Sequence, residues 1–176
     1  MSKPVLVVGL VCLFASGALA QGKVANGWAC GKPAMGQSIE VGDQPNHAYS
    51  IDQIKCTSTK GEIAGLKEQE GTGTEFAEIT GNSSKGHGVF VETMANGDKI
   101  HFTYQTTATI KDGKMQSGSN KWQATGGTGK FKGIKASGTC SGTGSADGST
   151  NWTCTGTYSL PEQPSHIRVV PSRGPR

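Results

Sequence analysis

The residues of this chain that could do chemistry are few: four His, five Cys and one glycine-rich run that closes on Lys. A glycine loop ending in Lys is the outline of a phosphate cradle, and Gly126-Gly127-Thr128-Gly129-Lys130-Phe131 has that outline. Its spacing excludes the chemistry. Ala124 stands where the first Gly is required, Phe131 replaces the hydroxyl that would hold magnesium, and no helical segment follows to receive an anion. A carboxylate beside an imidazole is half of an acid-base pair, and a two-residue turn at Asn96-Gly97 sets Glu92 opposite His101. In that register both point away from Val91 and Phe102, so the pair reads as a solvent-facing contact worth well under about 1 kcal/mol. His47 and His87 have neither His-x-His nor His-Glu-x-x-His spacing, and no Gly-x-Ser-x-Gly elbow marks a nucleophile. The sequence therefore assigns no catalytic residue, no cofactor and no metal. Asn82-Ser83-Ser84 and Asn151-Trp152-Thr153 match the glycosylation pattern, which matters only in a eukaryotic secretory pathway.

The cysteines carry a stronger signal. Cys12 lies in the apolar run Val5 to Phe14, which is preceded by Lys3 and followed by Ala18-Leu19-Ala20, the pattern of a cleaved secretory signal over residues 1–20. The run is too short to span a bilayer, and Leu10-Val11 lacks the small residue that a lipoprotein signal places before its Cys. The expected mature chain begins near Gln21 and retains Cys30, Cys56, Cys140 and Cys154, an even number suited to an oxidising compartment, secreted or periplasmic. No C-x2-C pair supports a metal site.

One hairpin selects the disulfide pairing. Folding the stretch from Ile134 to Leu160 about Asp147 sets Cys140 opposite Cys154, Ala136 opposite Tyr158, Gly138 opposite Gly156 and Gly142 opposite Trp152, with Thr and Ser on the other face. A slip of one residue would set Cys140 against Thr155 and mix the faces. The expected bridges are Cys140–Cys154 and, by elimination, Cys30–Cys56. Trp152 falls on the Cys face and Trp28 stands just before Cys30, so both read as packing against disulfides rather than as platforms for sugars.

The elements that must position these residues are strands. Twenty-seven Gly, abundant Thr and Ser, and short alternating apolar runs point to an all-β domain over residues 21–160. The Asn96-Gly97 turn pairs Val89 with Tyr104, Val91 with Phe102 and Thr93 with Ile100. Further strands are expected over 47–56, 73–80, 102–110 and 115–125, with a bulge near Gly118 to bring Trp122 onto the face of Tyr104. Gly61 to Gly71 reads as a short helix or a loop. This pattern predicts a small antiparallel β-barrel of about eight strands, with a β-sandwich as the alternative, because closure removes exposed edges. In a closed barrel Val89, Val91, Ile100, Phe102, Tyr104, Ala136 and Tyr158 would share the interior, and in a hollow one they would line a ligand pocket with the Tyr hydroxyls as polar handles. Composition leaves open whether that interior is hollow.

The Gly126 to Phe131 run also resembles the Gly-Gly-Thr/Ser-Gly-x-Phe turn between late strands of the dirigent and allene oxide cyclase barrels. That resemblance, carried by about Trp122 to Gly138, implies an eight-stranded barrel, commonly trimeric, that handles oxidised lipids or phenolic radicals. No position matches the catalytic residues of those enzymes. The chain as a whole resembles uncharacterised secreted bacterial proteins that carry Pro45-Asn46-His47-Ala48-Tyr49, an Asn-Gly-Asp hairpin and the Gly126 to Lys135 run.

Residues 161–176 hold four of the seven Pro and all three Arg, the composition of a disordered tail. The body between signal and tail is nearly charge-balanced, with thirteen Lys against twelve acidic residues, so no polyanion or nucleic-acid partner is expected. After signal cleavage no integral membrane segment remains. The expected function is a secreted, non-catalytic barrel that binds a small apolar or amphipathic ligand or serves structurally at the cell envelope. The alternative, from the resemblance, is a cyclase or isomerase acting on a ligand inside the barrel, and the same resemblance implies a homo-oligomer. Truncation after Leu160 should leave the melting temperature nearly unchanged in a thermal scan; a drop of many degrees would mean that the tail docks on the body.

Overall fold

A computed structural model describes residues 20–161; the signal and tail assignments otherwise lie outside the described residues. The chain forms strands β1 (Ala20–Cys30), β2 (Met35–Glu40), β3 (His47–Lys60), β4 (Glu62–Ile63), β5 (Leu66–Thr80), β6 (Ser83–Met94), β7 (Lys99–Lys111), β8 (Lys114–Gly127), β9 (Lys135–Gly144) and β10 (Thr150–Leu160). A 3-10 turn at Gly129–Phe131 links β8 to β9. Eight strands run in the order β3-β1-β10-β9-β8-β7-β6-β5, and β5 pairs back onto β3 to close an antiparallel barrel. The two short strands are accessories: β2 continues along β3 where β1 leaves it, and β4 pairs with the start of β5. Among the described residues no helix is long and apolar enough to cross a membrane.

The Cys hairpin has the predicted register, Cys140 facing Cys154, Gly142 facing Trp152 and Ala136 facing Tyr158. Disulfides join Cys140 to Cys154 and Cys30 to Cys56, the latter across β1 and β3. Both point inward, packed with Trp28, Trp122 and Trp152. Trp122 lies directly opposite Tyr104, and the bulge that permits this falls at Gln116, two residues from the expected Gly118, since Ile110 pairs with Met115 but Thr109 with Ser117.

The second hairpin corrects the sequence reading. The amide of Met94 donates to Asp98 and that of Gly97 to Met94, and Gly97 alone takes a left-handed φ of 84°. The loop thus has three residues, a turn closed by a left-handed Gly, rather than two. Asn96 stabilises it, its Oδ1 accepting from the Asp98 amide at 3.1 Å. One extra loop residue shifts every pair: Phe90 faces Phe102, Glu92 faces Ile100, and His101 faces Val91. A one-residue shift exchanges the faces of a strand. Val89 and Val91 therefore stand on the outer surface, Val89 being 47% exposed, whereas Phe90, Glu92 and Met94 turn inward. The expected Glu92–His101 surface pair does not form.

Gly61 to Gly71 is likewise neither helix nor loop but a hairpin, turned at Ala64 and Gly65, both with positive φ. Its Ile63 enters the apolar plug that seals one end of the barrel, where Val24, Met94, Ile100, Phe131 and Ile134 are buried together. The glycine-rich run builds that plug. Gly129 to Phe131 folds over the barrel end with Phe131 fully buried, the Lys130 amide donates to Asp98 Oδ2 at 3.0 Å, and the Lys99 amide to the Thr128 hydroxyl at 2.8 Å. Lys130 Nζ reaches the Ala64 carbonyl across the end of the barrel.

The Pro45 to Tyr49 motif is also structural. His47 bonds through Nδ1 to Asp43 at 2.6 Å and through Nε2 to Glu78 at 3.0 Å, tying the β2–β3 turn to β5. The short cross-strand bridge Cys140–Cys154, 14 residues apart, should contribute about 3 kcal/mol by the chain-entropy argument. Guanidinium unfolding of the Cys140→Ser/Cys154→Ser double variant is expected to report a loss of that size; a variant as stable as the parent would mean the bridge constrains nothing in the unfolded chain.

Candidate functional site: the barrel lumen

Beyond the apolar plug the barrel is hollow. A cavity of about 380 Å³ occupies the middle and opens at the far end, where Lys32, Lys114 and Gly148 stand at its mouth. Lys114 is anchored there through the Ala146 carbonyl. The volume lies within the range of small-molecule sites.

The hollow exists because rings lie along the wall instead of crossing it. Tyr104 faces Gly88, Trp152 faces Gly142 and Trp122 faces Gly138, each pair directly opposite on neighbouring strands. A Cβ at Gly88 would come within 2.7 Å of the Tyr104 ring, and one at Gly142 within 2.5 Å of the Trp152 indole. Gly71 leaves room for Phe90 in the same way. Trp28 meets Phe90 edge-on at 5.2 Å, and Phe102 meets Trp122 edge-on at 5.5 Å, so the rings brace one another around the wall.

Carboxyl groups interrupt this apolar wall. Deepest is Glu92, 1% exposed on the cavity floor, beside Glu68, whose Oε1 accepts from Asn26 Nδ2 at 2.8 Å. A bulge at Gln69 puts Glu68 there, because Glu68 pairs with Met94 while Glu70 pairs with Thr93, and Gly71, Gly73 and Glu75 then continue the inward face. Higher up, Glu75 Oε2 accepts from the Thr106 hydroxyl at 3.2 Å and lies against the Tyr104 hydroxyl, with Asp52 directly opposite on β3. Burial pushes Glu92 up to about 9, with repulsion from Glu68 adding to it, and burial pushes Glu68 up to about 7. Burial likewise raises Glu75, and it raises the Tyr104 hydroxyl, whose charged form Glu75 opposes further. The proton that Glu92 keeps bridges it to Glu68, and Asn26 Oδ1, Asn120 Oδ1 and Trp122 Nε1 are buried without a hydrogen-bond partner.

Of the residues the sequence placed on the inner face, Phe102 and Tyr104 line the cavity. Ile100, Ala136 and Tyr158 face inward but belong to the packed end, where the Tyr158 hydroxyl accepts from the Ala64 amide at 3.0 Å. Val89 and Val91 lie outside. Sequence reasoning passed over Phe90 and Glu75 and set Glu92 on the outer face, the errors at Phe90 and Glu92 both coming from the hairpin shift. For Glu75 a signal was present: Gly71, Gly73, Glu75 and Ala77 alternate with polar residues and Phe76, so one face of β5 is nearly bare of large side chains. Among the described residues no group of His, Cys, Asp and Glu is arranged to hold a metal.

The buried acids have a consequence for stability. A carboxyl whose pKa is raised in the folded state stabilises that state while protonated, in full below the ordinary Glu value of about 4.5 and progressively less as pH rises through the folded values near 7 and 9. Between pH 5 and 9 the melting temperature should therefore fall, and Glu92→Gln should fall less steeply. His47, raised by Asp43 and then Glu78, loses stabilisation in the same direction but is shared by both proteins, so the difference between the two profiles isolates the acid pair. Parallel profiles would show that Glu92 titrates as an ordinary surface Glu.

No family model matches this sequence, and no curated protein does. In structure the chain is similar to the pterocarpan synthase dirigent protein PsPTS1, with 9% identity and a TM-score of 0.49 over 82% of this chain and 97% of that one. It is similar also to the pterocarpan synthase dirigent protein GePTS1, with 10% identity and a TM-score of 0.47 over 92% of this chain and all of that one.

Proposed function

We propose that this protein binds a small amphipathic molecule inside the barrel, entering by the mouth at Lys32 and Lys114. The supporting observation is the one-ended cavity of about 380 Å³, walled by aromatic rings and holding a few convergent polar groups, the usual make-up of a small-molecule site. Phe90, Phe102, Tyr104 and Trp122 would contact the apolar body, and the unpartnered polar atoms would orient it. The two disulfides fit an exported protein, since such bridges persist in oxidising compartments.

A second reading, proton-transfer chemistry of the cyclase or isomerase kind, is favoured by Glu92 alone. A carboxyl kept neutral near pH 7 at the floor of the cavity can donate a proton to a bound ligand, and Glu75 above it can accept one.

The binding reading is tested by filling the lumen. Ala77 is buried on the cavity wall and Ala136 in the packed end. Ala77→Phe should abolish enhancement of N-phenylnaphthylamine fluorescence while shifting stability by less than about 1 kcal/mol, whereas Ala136→Phe should cost roughly 1–3 kcal/mol. No dye uptake by the unmodified protein, with equal stability losses in the two variants, would make the interior a packed core and retire the binding reading.

A further inference from the structure

The lumen is chemically lopsided. Its walls carry three carboxyl groups, Asp52, Glu75 and Glu92, with Glu68 behind the floor, while the basic side chains among its lining residues are Lys32 and Lys114 at the mouth. On the floor Glu92 keeps its proton and shares it with Glu68, whereas Glu75 at the waist is met only by the neutral hydroxyls of Thr106 and Tyr104. Carboxyl groups in an apolar site are costly unless neutral or matched by a cation, and here no cationic side chain reaches the waist of the barrel. The surrounding rings present the negative faces that attract a desolvated ammonium group.

We propose that the lumen selects an organic amine, with the ammonium group held by Glu75 at the waist of the barrel and the apolar body lying against Trp28, Phe90 and Trp122. The inference rests on the cavity being a binding site and adds the class of ligand. Glu75 is favoured over Glu92 by position. It lies nearer the mouth, and Thr106 at 3.2 Å fixes its carboxylate, while Glu92 is turned toward Glu68 on the floor. Asp52, directly across from it on β3, adds negative potential at the waist. Because burial favours the neutral acid, pairing with the ammonium drives the Glu75 proton out to solvent, and the charge in the lumen stays balanced.

Three probes of one shape separate the possibilities: tryptamine, its neutral analogue tryptophol, and the anionic indole-3-propionate. Calorimetric titration of the full chain should find tryptamine binding at least about tenfold tighter than tryptophol, equivalent to about 1.4 kcal/mol, with indole-3-propionate weakest. Glu75→Gln should bring tryptamine and tryptophol to within about threefold of each other while leaving tryptophol nearly unchanged, as expected when only the ion pair is lost. If that variant does not fold, the preference of the unmodified protein decides alone. Tryptophol or indole-3-propionate binding as tightly as tryptamine would overturn the amine assignment and leave the cavity reading standing. Failure of all three probes, together with absence of dye uptake, would remove the cavity reading beneath it.

Discussion

The architecture depends on rings being paired with residues that have no Cβ. An aromatic side chain normally projects from a sheet, and in a barrel of eight strands projecting rings would meet at the axis and fill it. Here Tyr104, Trp122 and Trp152 each lie opposite a Gly on the adjacent strand, and the missing Cβ lets the ring fold down onto the backbone. The contact buries aromatic area against peptide groups and covers a stretch of backbone that Gly would otherwise leave bare. Gly weakens a strand by its entropy and by having nothing to pack, and the ring of the neighbour compensates for both. The wall becomes thick and apolar, and the axis stays empty.

The device recurs at the sealed end, where the Tyr158 ring lies over Gly22, but other side chains fill the middle. There the side chains are Ile63, Met94, Ile100, Phe131 and Ile134, which reach the axis and pack on one another. Two turns that look functional in sequence exist to hold this plug. Asp98, placed by the Asn96-Gly97 loop, accepts from the Lys130 amide, and Thr128 accepts from Lys99, so the Asn-Gly-Asp hairpin and the glycine-rich run interlock and deliver Phe131 to the axis. The glycine-rich run is no anion site, because its acceptors and donors are spent on the neighbouring turn and its Lys crosses to Ala64.

Legibility in the sequence followed the strength of the local constraints. The hairpin about Asp147 was readable because Cys, Trp, Tyr and Gly each have a strong facial preference, and together they admit one register. The hairpin about Asn96 was read one residue short. Asn-Gly suits both a two-residue and a three-residue turn, and the choice rests on Asp98 meeting the distant Lys130 amide. That one residue moved Val89 and Val91 outside and brought Glu92 in. The mistaken face looked sound because Val89, Val91, Ile100, Phe102 and Tyr104 make a convincing apolar set, whereas the true set contains an acid. Glu68 was hidden by a different cause, the bulge at Gln69, which exists only in the pairing with β6. The bulge near Gly118 was foreseeable because Tyr104 and Trp122 both demand the inner face.

What separates this lumen from a merely unfilled core is the cost of its polar groups. Glu68 and Glu92 sit together at the boundary between plug and cavity, with Asn26 donating to Glu68 and the two carboxyls sharing a proton. Apolar residues of similar volume would close the plug at no such cost, and replacements of that kind in buried ionic clusters are often neutral or stabilising. The acids are therefore poorly explained as devices of stability, and their displaced titration beside a cavity is in keeping with the proposed ligand site. Their placement gives the lumen an axis of polarity: an apolar floor behind the acid pair, rings and Glu75 at the waist, and Lys side chains only where solvent reaches them. On the proposed reading, a molecule entering such a tube would be oriented by the acids at depth rather than by contacts at the rim.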